Sequence, residues 1–178
     1  MITGLVLSGG RGERVDGADK GLMSYEGLPR VQYSIEALRP HCDQLYLNCN
    51  RNHDQYERFG LPLLSEPEPD FPGALVALSQ LLPELPGDQF LILPCDTPGI
   101  RADHINLLLE AAEQYPEHWI YFISAGREHP LHALIPEPLV PQLVRRVAAG
   151  ERQMMRVLQQ VKSVGIKLRQ DVLLNLNT

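Results

Sequence analysis

Residues 2–23 read ITGLVLSGGRGERVDGADKGLM, and this stretch decides the fold. Ile2–Leu7 is an apolar run of strand length with no polar face, the pattern of a strand covered on both sides. It leads directly into a segment that holds Gly9, Gly10, Gly12 and Gly17, with Arg11, Arg14 and Lys20 interleaved. Glycine lets backbone N–H groups approach an anion closely, and the cations neutralise phosphate charge. A buried strand followed at once by such a segment opens an α/β protein whose ligand crevice lies beyond the carboxyl ends of its strands.

Working outward, apolar runs bounded by Gly, Pro, Asp or Asn predict further strands at Gln44–Cys49, Phe90–Leu93, Trp119–Ser124 and Leu131–Ile135. Helical spacing falls at Val31–Leu38, Ala74–Leu82, Ile105–Ala112 and Leu139–Val147, the last with a stop at Gly150. Alternating strand and helix imply a three-layer α/β/α sandwich around a mostly parallel, Rossmann-like sheet. In the second half, Trp119–Ser124 and His129–Ile135 are expected to pair antiparallel around a turn at Ala125–Glu128, an excursion at the sheet edge. There is no internal repeat, and the Pro-rich pieces Pro62–Pro72 and Pro83–Pro86 are too short to separate domains, so residues 1–178 are expected to form one domain.

Composition narrows the partners. The chain is 44% hydrophobic and 21% charged with a net charge of −6, and it has no block of basic residues, which argues against a nucleic-acid partner. No apolar run approaches the ~18–20 residues of a membrane span. The N-terminus reads as a first strand and not as a signal peptide, which makes a cytoplasmic location the simplest expectation. Cys42, Cys49 and Cys95 lack CxxC spacing and are expected to be reduced and structural.

Two better-known phosphate loops fail on spacing. A Walker A loop needs Gly-Lys followed by Ser or Thr, whereas Lys20 stands between Asp19 and Gly21; a dinucleotide fingerprint starting at Gly10 meets Val15 where a third glycine belongs. A second signal lies in LILPCDTPG, residues 91–99, where Asp96 follows a wholly apolar strand between Pro94 and Pro98. Alone, Asp96 also suits a turn or the cap of the next helix. Beside a phosphate loop it is the candidate ligand for Mg²⁺, which binds through one or two carboxylates plus substrate phosphates.

LSGGRGERVDGADKGLM, LNCNRN, PGAL, PCDTP, HPLHAL, GERQMM and NLNT follow one another over essentially the whole chain. In that order they resemble the molybdenum cofactor guanylyltransferases, the MobA family of nucleotidyltransferases. The resemblance implies transfer of GMP from GTP to the phosphate of molybdenum-bound molybdopterin, release of pyrophosphate and a need for Mg²⁺. It also implies proteins that deliver the pterin and receive the finished cofactor. It places Leu7, Ser8, Gly9 and Gly10 against GTP, Lys20 on the phosphates with Arg14 in the catalytic set, Asn48 on the nucleotide and Asp96 on the metal. Glu66 stands where relatives carry an aspartate near guanine. Asn175, Asn177 and Arg152 fall toward the acceptor.

Some residues depart from the family or stay open. Arg14-Val15-Asp16-Gly17 replaces a common RMGG pattern, and Asp16 is expected to point away from the triphosphate. Gly9-Gly10 stands where relatives that use CTP have alanine and glycine, favouring guanine. His129 and His132 can share one side of a strand without a third metal ligand, so a structural or pterin-binding role is expected instead of zinc. Arg145, Arg146, Arg152 and Arg156 either meet the pterin phosphate or lie on solvated helix faces. The chain stops at Thr178 without the short helix that relatives append. The competing readings are a sugar-phosphate or cytidylyl-type nucleotidyltransferase and a non-catalytic nucleotide-binding protein.

Overall fold

The computed structural model describes residues 1–9, 19–66, 73–169 and 171–173. Gly10, Arg11, Gly12, Arg14, Val15, Asp16, Gly17, Asn175 and Asn177 lie outside the described residues, so the expectations placed on them stay as sequence readings. In chain order the described elements are β1 (Ile2–Leu7), β2 (Ser24–Tyr25), β3 (Leu28–Pro29), α1 (Arg30–Leu38), β4 (Gln44–Asn48), α2 (His53–Tyr56), β5 (Leu63–Leu64) and α3 (Ala74–Leu81). There follow β6 (Gln89–Pro94), α4 (Ala102–Gln114), β7 (Trp119–Ser124), β8 (Arg127–Pro136), α5 (Val140–Ala148), α6 (Met154–Gln160) and β9 (Ser163–Lys167).

Seven strands form one sheet in the order β5-β4-β1-β6-β8-β7-β9, and β2 pairs with β3 in a separate ribbon. β5, β4, β1 and β6 run parallel; β8 is antiparallel to β6 and β7, and β9 is parallel to β7. The expected antiparallel excursion is therefore β8, lying inside the sheet and not at its edge, because β9 extends the sheet past β7. In β1, Leu7 is level with Asn48 of β4 and with Pro94 of β6, so three parallel strands end together and release Ser8, Cys49 and Cys95 along one line.

Side-chain alternation along the central strands builds a core on each face. Leu5, Leu7, Phe90 and Ile92 pack with Leu75 and Leu78 of α3, Leu143 of α5 and Val157 of α6. Val6, Leu91 and Leu93 pack with Val31, Ile35 and Leu38 of α1 and with Ile105 and Leu108 of α4. Helices on both faces give the three layers, and β1 and β6 are buried on both sides as their composition requires.

The predicted stop at Gly150 coincides with the end of α5. Gly150 takes φ +101° and donates its N–H to Val147 O at 3.0 Å, closing the last turn. The hairpin joins β7 to β8 through Ala125 and Gly126, at φ +51° and +73°, a pair of positive values that matches the twist of the strands. Beyond it, Tyr121 pairs with Ala133 but Phe122 pairs with His129, so Pro130, Leu131 and His132 bulge from β8. Trp119 Nε1 donates to Pro130 O at 3.1 Å and satisfies the bulged carbonyl.

Among the described residues, no helix is long and apolar enough to cross a membrane. The three cysteines are free thiols. Burial pushes Cys42 and Cys95 up to about 12 and Cys49 up to about 11, which keeps them protonated.

Candidate active site

The carboxyl ends of β4, β1 and β6 hold most of the described candidate residues. Asn48, 1% exposed at the end of β4, is the hub on one side. Its Oδ1 accepts Gly9 N–H at 3.1 Å, and its Nδ2 donates to Leu64 O at 3.1 Å and to Glu66 Oε2 at 2.9 Å. Its backbone carbonyl accepts Ser8 N–H at 2.9 Å. Asn50 repeats the pattern, donating from Nδ2 to Gly9 O at 2.7 Å and accepting Glu66 N–H at 3.1 Å. A Cβ on Gly9 would lie 2.5 Å from Asn48 Oδ1 and 2.8 Å from Asn50 Nδ2, so only glycine lets the chain pass this close.

On the other side of Ser8, a buried network ties the residues before Lys20 to β1. Ser8 Oγ and Tyr56 OH are 2.5 Å apart, and Tyr56 OH donates to Asp19 Oδ1 at 2.7 Å. Asp19 Oδ1 also accepts Gly21 N–H at 3.2 Å, while Oδ2 accepts Asn52 Nδ2 at 3.1 Å and lies 3.9 Å from Arg51 Nε. Lys20 is the first residue of the 3₁₀ turn Lys20–Leu22 that Asp19 caps. Gly21 packs so tightly there that a Cβ would collide with Ser8 Oγ and Tyr56 OH.

Asp96, half-buried, follows β6 and precedes Thr97, which is 3% exposed. Thr97 Oγ1 is 2.8 Å from His132 Nε2, and His129 stands edge-on to His132 with ring centroids 5.6 Å apart. Residues three apart on a regular strand face opposite sides, so it is the bulge, and not strand periodicity, that lets these two meet. Burial, reinforced by His129, pulls His132 down to about 3, and its Nδ1 has no hydrogen-bond partner among the described residues. Ser124 Oγ donates to Asp171 at 3.3 Å beyond them.

Ser8, Gly9, Asn48 and Glu66 are thus joined by hydrogen bonds, with Leu7 just before them at the end of β1, and Lys20 is tied to them through Asp19. Cys95 sits level with Ser8, its N–H donating to Leu7 O at 3.1 Å, and Asp96 is the next residue in the chain. Arg152 is held in its own turn, donating from Nη1 to Val147 O and Glu151 O, each at 2.8 Å. Arg146 reaches the side chain and the carbonyl of Gln160, and Arg145 and Arg156 are exposed.

Sequence reading gave no role to Asp19, Asn50, Asn52 or Tyr56, although Asp19 and Asn50 fall in the stretches directly after strands. Two signals were there to be used: Asn48, Asn50 and Asn52 alternate in LNCNRN, and Asp19 stands directly before Lys20. Tyr56 has no local signal, since its two partners are 48 and 37 residues away in the chain.

A mostly parallel sheet with Gly9, Lys20 and Asp96 following its strands at the carboxyl ends has the α/β nucleotidyltransferase fold. The chain belongs to the MobA-like NTP transferase domain family, whose model matches residues 4–164. It is 36% identical over 98% of its length to a molybdenum cofactor guanylyltransferase of Pseudomonas syringae, covering 88% of that protein. It is 34% identical over 99% of its length to one of Serratia proteamaculans, covering 90% of it. Among solved structures it is similar to molybdopterin-guanine dinucleotide biosynthesis protein A of Archaeoglobus fulgidus, with a TM-score of 0.72 at 19% identity over 93% of this chain and 83% of that one, a likeness of fold.

Proposed function

We propose that this chain transfers GMP from GTP to the phosphate of molybdenum-bound molybdopterin and releases pyrophosphate. The observation that carries the reading is the convergence of Ser8, Gly9, Asn48 and Glu66 beside Asp96 at the ends of adjacent parallel strands. The relatives over nearly the whole chain carry the name of that activity and support the acceptor.

Each residue has a task in this reading. Lys20, on its capped turn, neutralises the triphosphate. Glu66, with Oε2 held by Asn48, offers its carboxylate to the N1–H and amino donors of guanine. The N–H groups of Ser8 and Gly9 are already donated to Asn48, so these residues shape the base and ribose wall while Lys20, Arg14 and the glycines after Gly9 meet the phosphates. An oxygen of the acceptor phosphate bonds to the α-phosphorus as the bond to the bridging oxygen of the β-phosphate breaks, and that oxygen leaves with pyrophosphate.

Asp96 fits a magnesium ion. It is a half-buried carboxylate directly beyond β6, the hard oxygen donor that suits Mg²⁺ completed by substrate phosphates and water. When bound, Mg²⁺ supplies charge neutralisation at the phosphate oxygens. Thr97, His132, His129 and Ser124 lie on the far side of Asp96 from Asn48, the side left for the pterin, with Asn175, Asn177 and Arg152 as further acceptor candidates. The reading sets the reaction in the cytoplasm, among proteins that deliver the pterin and receive the product.

Pyrophosphate release measured with each of the four ribonucleoside triphosphates and the pterin tests it. GTP is expected to be the substrate; CTP turnover supports the cytidylyl reading, and binding without turnover the non-catalytic one. Asp96→Ala is expected to lose on the order of 10³-fold in rate, and normal turnover by that variant with Mg²⁺ present would sink the role of Asp96.

A further inference from the structure

We infer that Tyr56 is a positioning residue for triphosphate binding: through Ser8 and Asp19 it sets where Lys20 stands relative to the end of β1. The inference rests on the triphosphate reading above.

Tyr56 is completely buried, at the end of the single turn α2, with its ring against Phe59 at 6.2 Å between centroids. Core packing explains an aromatic ring there but not its hydroxyl, which Phe would do without. The hydroxyl touches the two residues that flank the glycine-rich segment, Ser8 on one side and Asp19 on the other. Direction follows from donor counting. Tyr56 donates its one phenolic proton to Asp19 Oδ1, so Ser8 must donate its own proton to the Tyr56 oxygen. The result is a one-way relay, Ser8 to Tyr56 to Asp19, ending on a charge, the stronger kind of hydrogen bond.

The other groups around Asp19 serve the same end. Asp19 is buried, and its carboxylate is filled by Tyr56, Gly21 N–H and Asn52, with Arg51 near by. Its charge is thereby turned into the protein and away from the triphosphate that Lys20 meets. Asp19 caps the turn that begins with Lys20, so a carboxylate held still by Tyr56 holds the Lys20 backbone still. Gly21 closes the assembly, since any side chain there would push Ser8 and Tyr56 apart.

The test is a double-mutant cycle on affinity for GTP with wild type, Tyr56→Phe, Lys20→Ala and the double variant. If Tyr56 acts through Lys20, Tyr56→Phe weakens GTP binding about tenfold in the wild-type background and less than about threefold when Lys20 is already absent. An equal loss in both backgrounds, or no loss in either, overturns the inference. Should Tyr56→Phe not fold, Ser8→Ala cuts the same relay without disturbing the buried ring, and the same non-additivity with Lys20→Ala is expected. Failure of the triphosphate reading looks different: the wild-type chain would then bind none of the four triphosphates.

Discussion

Asn48 is spent inside the protein: every hydrogen of its amide and one side of its carbonyl oxygen are used to hold Gly9, Leu64 and Glu66 in place. Its place after a strand was legible in the sequence, but its task was not, because the partners lie 16, 18 and 39 residues away and are chosen by strand order. His132 shows the same gap at a titratable group. In the folded chain, burial and the neighbouring His129 hold it neutral down to about pH 3, against an ordinary value of 6.5. Below pH 6.5 the unfolded chain therefore takes up a proton that the folded chain refuses. The stability linked to His132 is complete above pH 6.5 and falls toward pH 3, by up to about 1.4 kcal/mol per pH unit. Urea midpoints at pH 7.5, 6 and 5 are expected to drop more steeply for wild type than for His132→Gln, which keeps a polar group for Thr97. Equal slopes would remove His132 as the cause.

At the scale of elements, long apolar or amphipathic segments were legible and short ones were not. β1, β4, β6, β7, α1, α3, α4 and α5 sit within a few residues of their expected places, since each carries enough side chains to show a period. The two-residue strands β2, β3 and β5 and the single turn α2 carry no period. β9 was missed because SVGIK mixes polar ends with Gly165, and only parallel pairing to β7 makes it a strand. The β7–β8 hairpin was expected in the right place, but its bulge was not, since Pro130–His132 reads as ordinary strand sequence. Ala125 takes φ +51° in the turn, a region that costs an L-residue with a Cβ about 1–2 kcal/mol. Ala125→Asn followed by Gly126 forms the favoured pair for this turn, and is expected to raise Tm by about 2–4 °C. Calorimetry checks it, and an unchanged or lowered Tm would show that the turn carries no such strain.

Over the whole molecule, the sheet separates two cores while its carboxyl edge gathers the candidate residues Ser8, Gly9, Asn48 and Asp96. Leu91, fully buried in the core beneath α1 and α4, lies near the middle of β6 and away from the residues after that strand. Leu91→Ala is expected to cost about 2–5 kcal/mol of stability by equilibrium denaturation, with GTP turnover kept in the fraction that stays folded. A cost under about 1 kcal/mol would mean that the core collapses around the gap. The sequence by itself determined the first strand, the glycine-rich segment after it and the aspartate after β6, because these are written in runs of neighbouring residues whose burial and backbone freedom are local properties. Tertiary structure alone decided that β8 lies inside the sheet, that the bulge joins His129 to His132, and that Tyr56 links Ser8 to Asp19. Those contacts depend on which surfaces pack together once the chain closes on itself, and no local pattern encodes that choice.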